Sequence, residues 1–264
     1  MSNGHGLLKL INIIGLILTL GISMNAEAGL FGFGGTNWKE EVLLHDGSKI
    51  IVKRSQSYGG RHEIGQSGTI KEHSITFSLP DSSKSITWTS EFGEDVGRAY
   101  FNLLALHILN GTPYIVAEPN GYLSCNKWGR PNPRYVFFRH DGKAWQRILL
   151  AEFPAELKTI NVIINSGREK EIEQLAGKQG YVSIEDVRNI NSSLMDNRYY
   201  RSILREPMPN FERDCPEMIR TGNGGWYGTG FFSGQPSLEA CLKYCEREKV
   251  TAENCPCKKL FGGK

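Results

Sequence analysis

The six cysteines have the most specific spacing for chemistry in this sequence. Cys241 and Cys245 lie four residues apart in a stretch that Ser237 would cap as an α-helix, so they share one helix face. A disulfide within one helical turn fits the bond geometry poorly, and the Cys-Pro-Cys segment at residues 255–257 is too tight to close on itself. We therefore predict disulfides from the helix cysteines to Cys255 and Cys257, each worth about 3 kcal/mol in the chain-entropy model.

Cys125 and Cys215 are the remaining pair, and they would tie the C-terminal tail to the preceding domain. Six cysteines allow many connectivities, so this pairing depends on geometry alone. A four-cysteine zinc site is the alternative, since the tail has enough ligands, but their spacing is odd for one. An oxidising compartment favours disulfides. We accordingly predict no metal and no other cofactor.

Two His-Asp-Gly segments, at residues 45–48 and 140–143, suggest a catalytic or metal site, because a histidine beside a carboxylate can act as a base or a ligand. Asp-Gly between apolar runs is also a strong hairpin signal, since glycine tolerates the positive φ of a tight turn. We interpret both segments as turns. His62 and Glu63 lack the second histidine of a zinc-protease motif. Together with His140, they are the residues that a dispersed hydrolase site would use.

Two loops carry residues suited to binding a partner. Residues 126–134 combine a tryptophan with basic side chains on a proline-stiffened frame, which could stack on a sugar ring or grip an anionic group. Residues 222–234 place four aromatic side chains on a glycine-rich backbone, which could form a recognition surface or plug the tail into the rest of the protein. The candidate contact residues are Lys127, Trp128, Arg130 and Arg134 in the first loop, and Trp226, Tyr227, Phe231 and Phe232 in the second.

Residues 1–28 are typical of an export signal. Lys9 precedes an interrupted apolar run at residues 10–22, and Ala26-Glu27-Ala28 supplies small residues for cleavage. The run is too short for a comfortable membrane span of about 20 residues, although an uncleaved anchor is the alternative interpretation. We expect cleavage after Ala28, a periplasmic or secreted protein, and no stable membrane span after cleavage. An ATP-driven reaction is then not expected.

The charge balance argues against nucleic acid as a partner. The 264 residues carry a formal net charge of only +3. Proteins that bind nucleic acids usually show a basic face or stripe, and no basic run here is longer than Lys258-Lys259.

The remaining patterns predict a mainly β fold, an antiparallel sandwich or barrel-like structure, with a helical segment and a small disulfide-rich tail. Residues 29–37 are expected to be a flexible lead-in, with ordered structure from Trp38. The predicted parts are an antiparallel β domain at 38–166, a helical segment at 167–206 and a Cys-rich tail at 207–264. Residues 157–165 are predicted as the last strand. Ser183 with Asp186 resembles a capping box that opens a helix.

Three segments resemble parts of uncharacterised exported proteins of Gram-negative bacteria. They are residues 38–47, 61–66 and 127–133, and the likeness covers roughly residues 38–165. The resemblance implies the compartment, and it carries over no activity and no functional residue.

We therefore expect a binding or interaction protein of the cell envelope without catalytic activity, whose partner is an envelope protein or a glycan. The alternatives are an envelope hydrolase with a dispersed His/Glu site, and a periplasmic inhibitor or immunity protein. A hydrolase requires histidine and carboxylate groups to converge in one cleft. A binding protein would instead present an aromatic or basic patch.

Overall fold

Two four-stranded antiparallel sheets form the β part of the chain in the computed structural model, which describes residues 35–61, 68–79, 84–164 and 167–262. The first sheet contains, in order, β1 (Gly35–Leu43), β2 (Lys49–Tyr58), β3 (Ile70–Ser78) and β4 (Ser85–Ser90). A small hairpin follows, formed by β5 (Phe92–Gly93) and β6 (Arg98–Ala99). The second sheet contains β7 (Phe101–Leu109), β8 (Thr112–Pro119), β9 (Val136–His140) and β10 (Trp145–Ile148), again in sequence order. The predicted export signal, His62 and Glu63 lie outside the described residues.

Both His-Asp-Gly segments form the predicted turns. Asp46 Oδ1 accepts a hydrogen bond from the backbone N–H of Ser48 at 2.9 Å, and Asp141 Oδ1 accepts two backbone hydrogen bonds at 2.8 Å. Gly47 and Gly142 adopt φ of 84° and 93°, which glycine reaches without a Cβ penalty. The local chemistry of Asp-Gly thus joins β1 to β2 and β9 to β10.

The two sheets pack face to face as a sandwich, which confirms the mainly β fold. Alternate residues of their strands point into one apolar core that includes Val42, Ile75, Trp88, Phe101, Ile115 and Phe138. β4 contacts the second sheet at two places: Ser90 Oγ accepts from the N–H of Phe101 at 2.9 Å, and Trp145 Nε1 donates to the carbonyl of Thr87 at 2.7 Å. Burial of these large side chains is the main force that holds the sheets together.

Helices cover the outer face of the second sheet and the edge of the first. They are α2 (Glu169–Gln179), α3 (Ile184–Asn191) and α4 (Arg198–Arg201), and they follow α1 (Gly121–Lys127), which lies between β8 and β9. Ser183 caps α3 as predicted, since its side chain accepts from the N–H of Asp186. Tyr199 and Ile203 pack on Phe137 of the second sheet, and α2 and α3 pack around Trp38 of β1.

Residues 157–164 do not form the predicted last strand. Their apolar side chains are buried as the pattern suggests, but a side chain makes the key contacts with the sheets. Asn161 Oδ1 accepts from the N–H of Leu106, while its Nδ2 donates to the carbonyls of Leu43 and Leu106. The segment therefore bridges β1 and β7 instead of extending either sheet. Ordered structure also begins earlier than expected, because β1 starts at Gly35 and not at Trp38.

The C-terminal part is small and crosslinked. It contains α5 (Phe211–Asp214), the hairpin of β11 (Met218–Arg220) and β12 (Trp226–Gly228), and three helices, α6 (Thr229–Ser233), α7 (Leu238–Arg247) and α8 (Cys257–Phe261). Cys241 bonds to Cys257 and Cys245 to Cys255. This confirms the predicted links from the helix cysteines to Cys255 and Cys257. Cys125 of α1 bonds to Cys215. Among the described residues, the helices lack the length and apolar character needed to cross a bilayer.

Candidate binding surfaces

Trp128 of the first predicted loop packs against the sandwich core. Its ring centroid lies 4.6 Å from that of Phe101 and 6.0 Å from that of Tyr100. The guanidinium carbon of Arg147 lies 5.4 Å from the Trp128 ring centroid. The Trp128 ring thus packs against other residues of the chain, as large aromatic side chains near a core commonly do.

Arg130 and Arg134 hold the C-terminal tail against the sandwich. The Arg130 side chain donates to the carbonyl of Cys215 and pairs with Glu212. Arg134 donates to the carbonyl of Asp214 at 3.0 Å and to Glu118 Oε2 at 3.3 Å. Both arginines therefore reach the segment that the Cys125–Cys215 disulfide brings beside them.

The contact of Arg130 and Arg134 with the tail forms a joint between the tail and the sandwich. Glu118 is the buried member of this joint, with only 3% of its surface exposed. Tyr200 donates to its carboxylate at 3.1 Å, and Asn102 donates at the same distance. Burial raises the pKa of Glu118, and the positive charge of Arg134 and these hydrogen bonds oppose that shift. A carboxylate so placed needs its partners, because an unpaired buried charge is costly.

Lys127 is the exposed member of the first loop. Its ammonium group pairs with Asp95 at 2.8 Å and lies 4.3 Å from the centroid of the Tyr100 ring. The hydrogen bond from Lys127 lowers the pKa of Asp95. All four predicted residues of this loop thus make contacts within the chain, and their role toward a partner stays a prediction.

The second predicted loop divides its aromatic residues between the interior and the surface. Phe232 is fully buried and packs edge-on against Tyr244, with ring centroids 5.2 Å apart. It belongs to the tail interior, not to the contact surface proposed for it. Tyr227 is half-buried between Tyr244 and Phe231. Trp226 and Phe231 remain 41% and 59% exposed.

The exposed pair borders a groove of about 420 Å³ whose lining is almost entirely apolar. Tyr122 of α1 supplies the third aromatic side chain and is 50% exposed. Tyr122 is not among the residues predicted from the sequence, because it lies a hundred residues before the start of the loop and only the folded chain brings it there. The groove is lined by Tyr122, Pro216, Met218, Trp226, Gly228, Gly230 and Phe231.

The disulfides give this groove a fixed support. Phe232, Cys241, Cys245 and Cys257 form the small core beneath it, and Ser237 caps α7 by accepting from the N–H of Ala240. The sulfur atoms of Cys245, Cys255 and Cys257 lie within 4.8 Å of one another. That proximity would suit a soft metal ion only if the cysteines were reduced. A thiol count of the purified protein tests this alternative.

His140 lines a cavity of about 860 Å³ at the end of the sandwich. Its Nδ1 accepts a hydrogen bond from the N–H of Gly142 at 3.1 Å. The oxygens of the adjacent Asp141 are engaged by backbone N–H groups and by Gln146. The backbone hydrogen bonds of Ala144 and Lys143 lower the pKa of Asp141. Within the described ranges, no histidine forms an ion pair with a carboxylate. His62 and Glu63, the other two residues named for a hydrolase site, lie outside those ranges, so that alternative stays a prediction.

Comparison with models of protein families, with curated proteins and with solved structures found no match to this chain.

Proposed function

We propose that this protein is exported to the cell envelope and binds a partner without catalysing a reaction, through the aromatic groove of its tail. The observation that carries the proposal is the exposure of Tyr122, Trp226 and Phe231 around one apolar groove. A contiguous exposed apolar patch of this kind is typical of an interaction site. The partner is an envelope protein or a glycan, since aromatic faces suit both apolar side chains and sugar rings.

The rigid support under the groove favours binding over a purely structural role. Two disulfides fix α7 and α8 beneath the loop. A surface that is already ordered loses little conformational entropy when it binds. An inhibitor or immunity protein would use such a surface in the same way, so that alternative differs only in the identity of the partner.

Retention of a partner from an envelope extract tests the proposal. The variant Trp226→Ala/Phe231→Ala removes the two exposed aromatic side chains that the second loop contributes to the groove. Its matched control is Ile51→Ala/Leu149→Ala, which removes two apolar side chains that are 45% and 68% exposed elsewhere. We expect the wild type and the control to retain the same protein or glycan, and the groove variant to lose it. Equal retention by all three, or retention of nothing by the wild type, would contradict the proposal.

The proposed compartment has its own test. Disulfides and the lack of a membrane-crossing helix among the described residues are compatible with it, and the Ala26-Glu27-Ala28 pattern motivates it. Mass spectrometry of protein recovered from the periplasm or medium should give Gly29 as the first residue. An intact Met1 on exported protein would refute cleavage after Ala28.

A further inference from the structure

A second cavity, separate in its residues from the aromatic groove, lies where two hairpins turn at the end of the sandwich. Its volume is about 860 Å³, and both sheets contribute to its lining. Gly111 of the β7–β8 turn and Gly142 of the β9–β10 turn border it. The hydrogen bond from Trp145 to the carbonyl of Thr87 fixes the two sheets relative to each other at this point. The cavity is therefore built by the fold and is large enough for a ligand of several rings.

Positive charge dominates the lining. Lys84, Arg139 and Lys143 border the cavity. Within the part of the chain that the structure describes, the side chains of Arg139 and Lys143 are exposed and make no hydrogen bond or ion pair. Asp141 is the single carboxylate among the described lining residues, and its oxygens are occupied in the turn. Arg139 and Lys143 thus present cationic donors to the cavity that no described residue neutralises.

His140 adds an oriented donor. Because its Nδ1 accepts from the N–H of Gly142, a neutral His140 ring carries its proton on Nε2. The ring meets Trp145 edge-on, with centroids 5.1 Å apart, and Trp145 is half-buried at the cavity wall. Ser85 and Thr112 supply hydroxyl groups to the same lining.

We propose that this cavity binds an oligosaccharide that carries negative charges, either carboxylates or phosphates. Arg139 and Lys143 recognise the charged groups, and Trp145 with the hydroxyl groups contacts the sugar rings. A guanidinium group binds an oxyanion in a bidentate manner, and a tryptophan next to cations and hydroxyls suits a ring with both an apolar face and polar edges. The proposal depends on none of the residues of the aromatic groove.

Titration of the protein with defined oligosaccharides tests this assignment. The indole N–H signal of Trp145, assigned with Trp145→Phe, reports binding by nuclear magnetic resonance. The ligands are a tetrasaccharide of galacturonate, the neutral tetrasaccharide of galactose, a phosphorylated disaccharide and a tetraglutamate peptide. We expect the galacturonate ligand or the phosphorylated ligand to shift the signal at low ionic strength, and added salt to weaken binding.

Two charge-matched variants make the test specific. Arg139→Gln/Lys143→Gln removes two positive charges from the cavity. Lys39→Gln/Lys53→Gln removes two from exposed positions that face each other across β1 and β2. The cavity variant should bind about tenfold more weakly or worse, while the control and Trp226→Ala/Phe231→Ala should bind like the wild type. Thermal unfolding of each variant checks that it is folded.

Several results would overturn the proposal. The neutral tetrasaccharide could bind as well as the charged one, or neither charged sugar could shift the Trp145 signal. The cavity variant and the Lys39→Gln/Lys53→Gln control could weaken binding equally, which would indicate non-specific electrostatic attraction. Tetraglutamate could bind in place of the sugars, which would assign the cavity to acidic peptides.

Discussion

Residues 126–134 and residues 222–234 both place tryptophan and other large side chains on turn-rich backbone, yet they differ in what those side chains contact. In the first loop, Trp128 packs on Phe101 and Arg134 pairs with Glu118. In the second, Trp226 and Phe231 remain largely exposed. The same residue types thus form an internal joint in one place and an open surface in the other.

Two features of the fold accompany this difference: Trp128 lies against the sandwich, and a disulfide holds the tail beside the first loop. Cys125 forms a disulfide with Cys215, which lies ninety residues further along the chain. The tail is therefore held over the first loop, where Arg130 and Arg134 donate to its carbonyls. The second loop lies within the tail, and the described chain covers only its inner side. The first loop is thus covered by the sandwich and the tail together, and the second loop keeps an exposed side.

Removal of the Cys125–Cys215 link should have the largest effect on this arrangement. A loop of ninety residues closed by a disulfide contributes about 4.6 kcal/mol in the chain-entropy model. We expect Cys125→Ser/Cys215→Ser to lower the free energy of unfolding by about that amount in urea denaturation. The tail should also be cut faster by proteases after Glu212, while the sandwich persists.

The matched control for that variant is Cys241→Ser/Cys257→Ser, whose bond spans 16 residues. It should cost about 3 kcal/mol and loosen the second loop without releasing the first. Non-reducing peptide maps should recover all three pairs, with no free thiol in the mature protein. Four alkylatable thiols together with stoichiometric zinc would assign the tail to the zinc alternative.

Arg134→Ala should lower the free energy of unfolding, because it removes the buried ion pair at the joint between the tail and the sandwich. It leaves Glu118, which is 3% exposed, without its cationic partner. Removal of one member of a buried ion pair costs about 3 kcal/mol, because the remaining charge stays buried. The loss is measured as the free energy of unfolding. Glu118→Gln in the same chain removes the orphaned charge, and the double variant should recover a substantial part of the stability. If the two changes are simply additive, Arg134 and Glu118 are not coupled.

The two tryptophans provide the most direct comparison of the loops. Trp128→Ala removes a half-buried ring from the sandwich and should lower the free energy of unfolding by about 2 kcal/mol. Trp226→Ala removes a ring that is 41% exposed and should change it by less than about 0.5 kcal/mol. Partner retention should respond in the opposite way: Trp226→Ala should reduce it more than Trp128→Ala. A destabilisation by Trp226→Ala as large as that by Trp128→Ala would show that the second loop is also structural.

Local chemistry is the part of this fold that the sequence reveals. Asp-Gly fixes the turns at residues 45–48 and 140–143, since φ is positive at the glycine whatever surrounds it. Covalent geometry likewise excludes bonds within one helical turn, and that rule selects the crossed cysteine pairs. Alternation of apolar residues predicts two-sided strands and hence an antiparallel sandwich or barrel, of which the structure has the sandwich.

Contacts between distant segments are the part that it does not reveal. Residues 157–164 have an apolar pattern that fits a strand, but the Asn161 side chain takes the hydrogen-bonding role of the backbone. Tyr122 joins the aromatic groove only because α1 is held beside the tail. Phe231 and Phe232 are adjacent and chemically identical, yet one is 59% exposed and the other fully buried. Composition alone contains no signal that separates them.

Lys127→Ala should have the smallest effect, although Lys127 belongs to the same loop as Arg134. Its ammonium group and Asp95 are 41% and 49% exposed, so water screens their attraction and solvates either charge alone. We therefore expect the unfolding temperature to change by no more than about one degree, and 1 M salt to remove even that difference. Thermal unfolding of Lys127→Ala and Asp95→Asn at low and high salt measures both effects. A loss of stability comparable to that of Arg134→Ala would mean that the contact of Lys127 with the Tyr100 ring stabilises the protein. Solvent exposure would then not predict which residues of this loop contribute to stability.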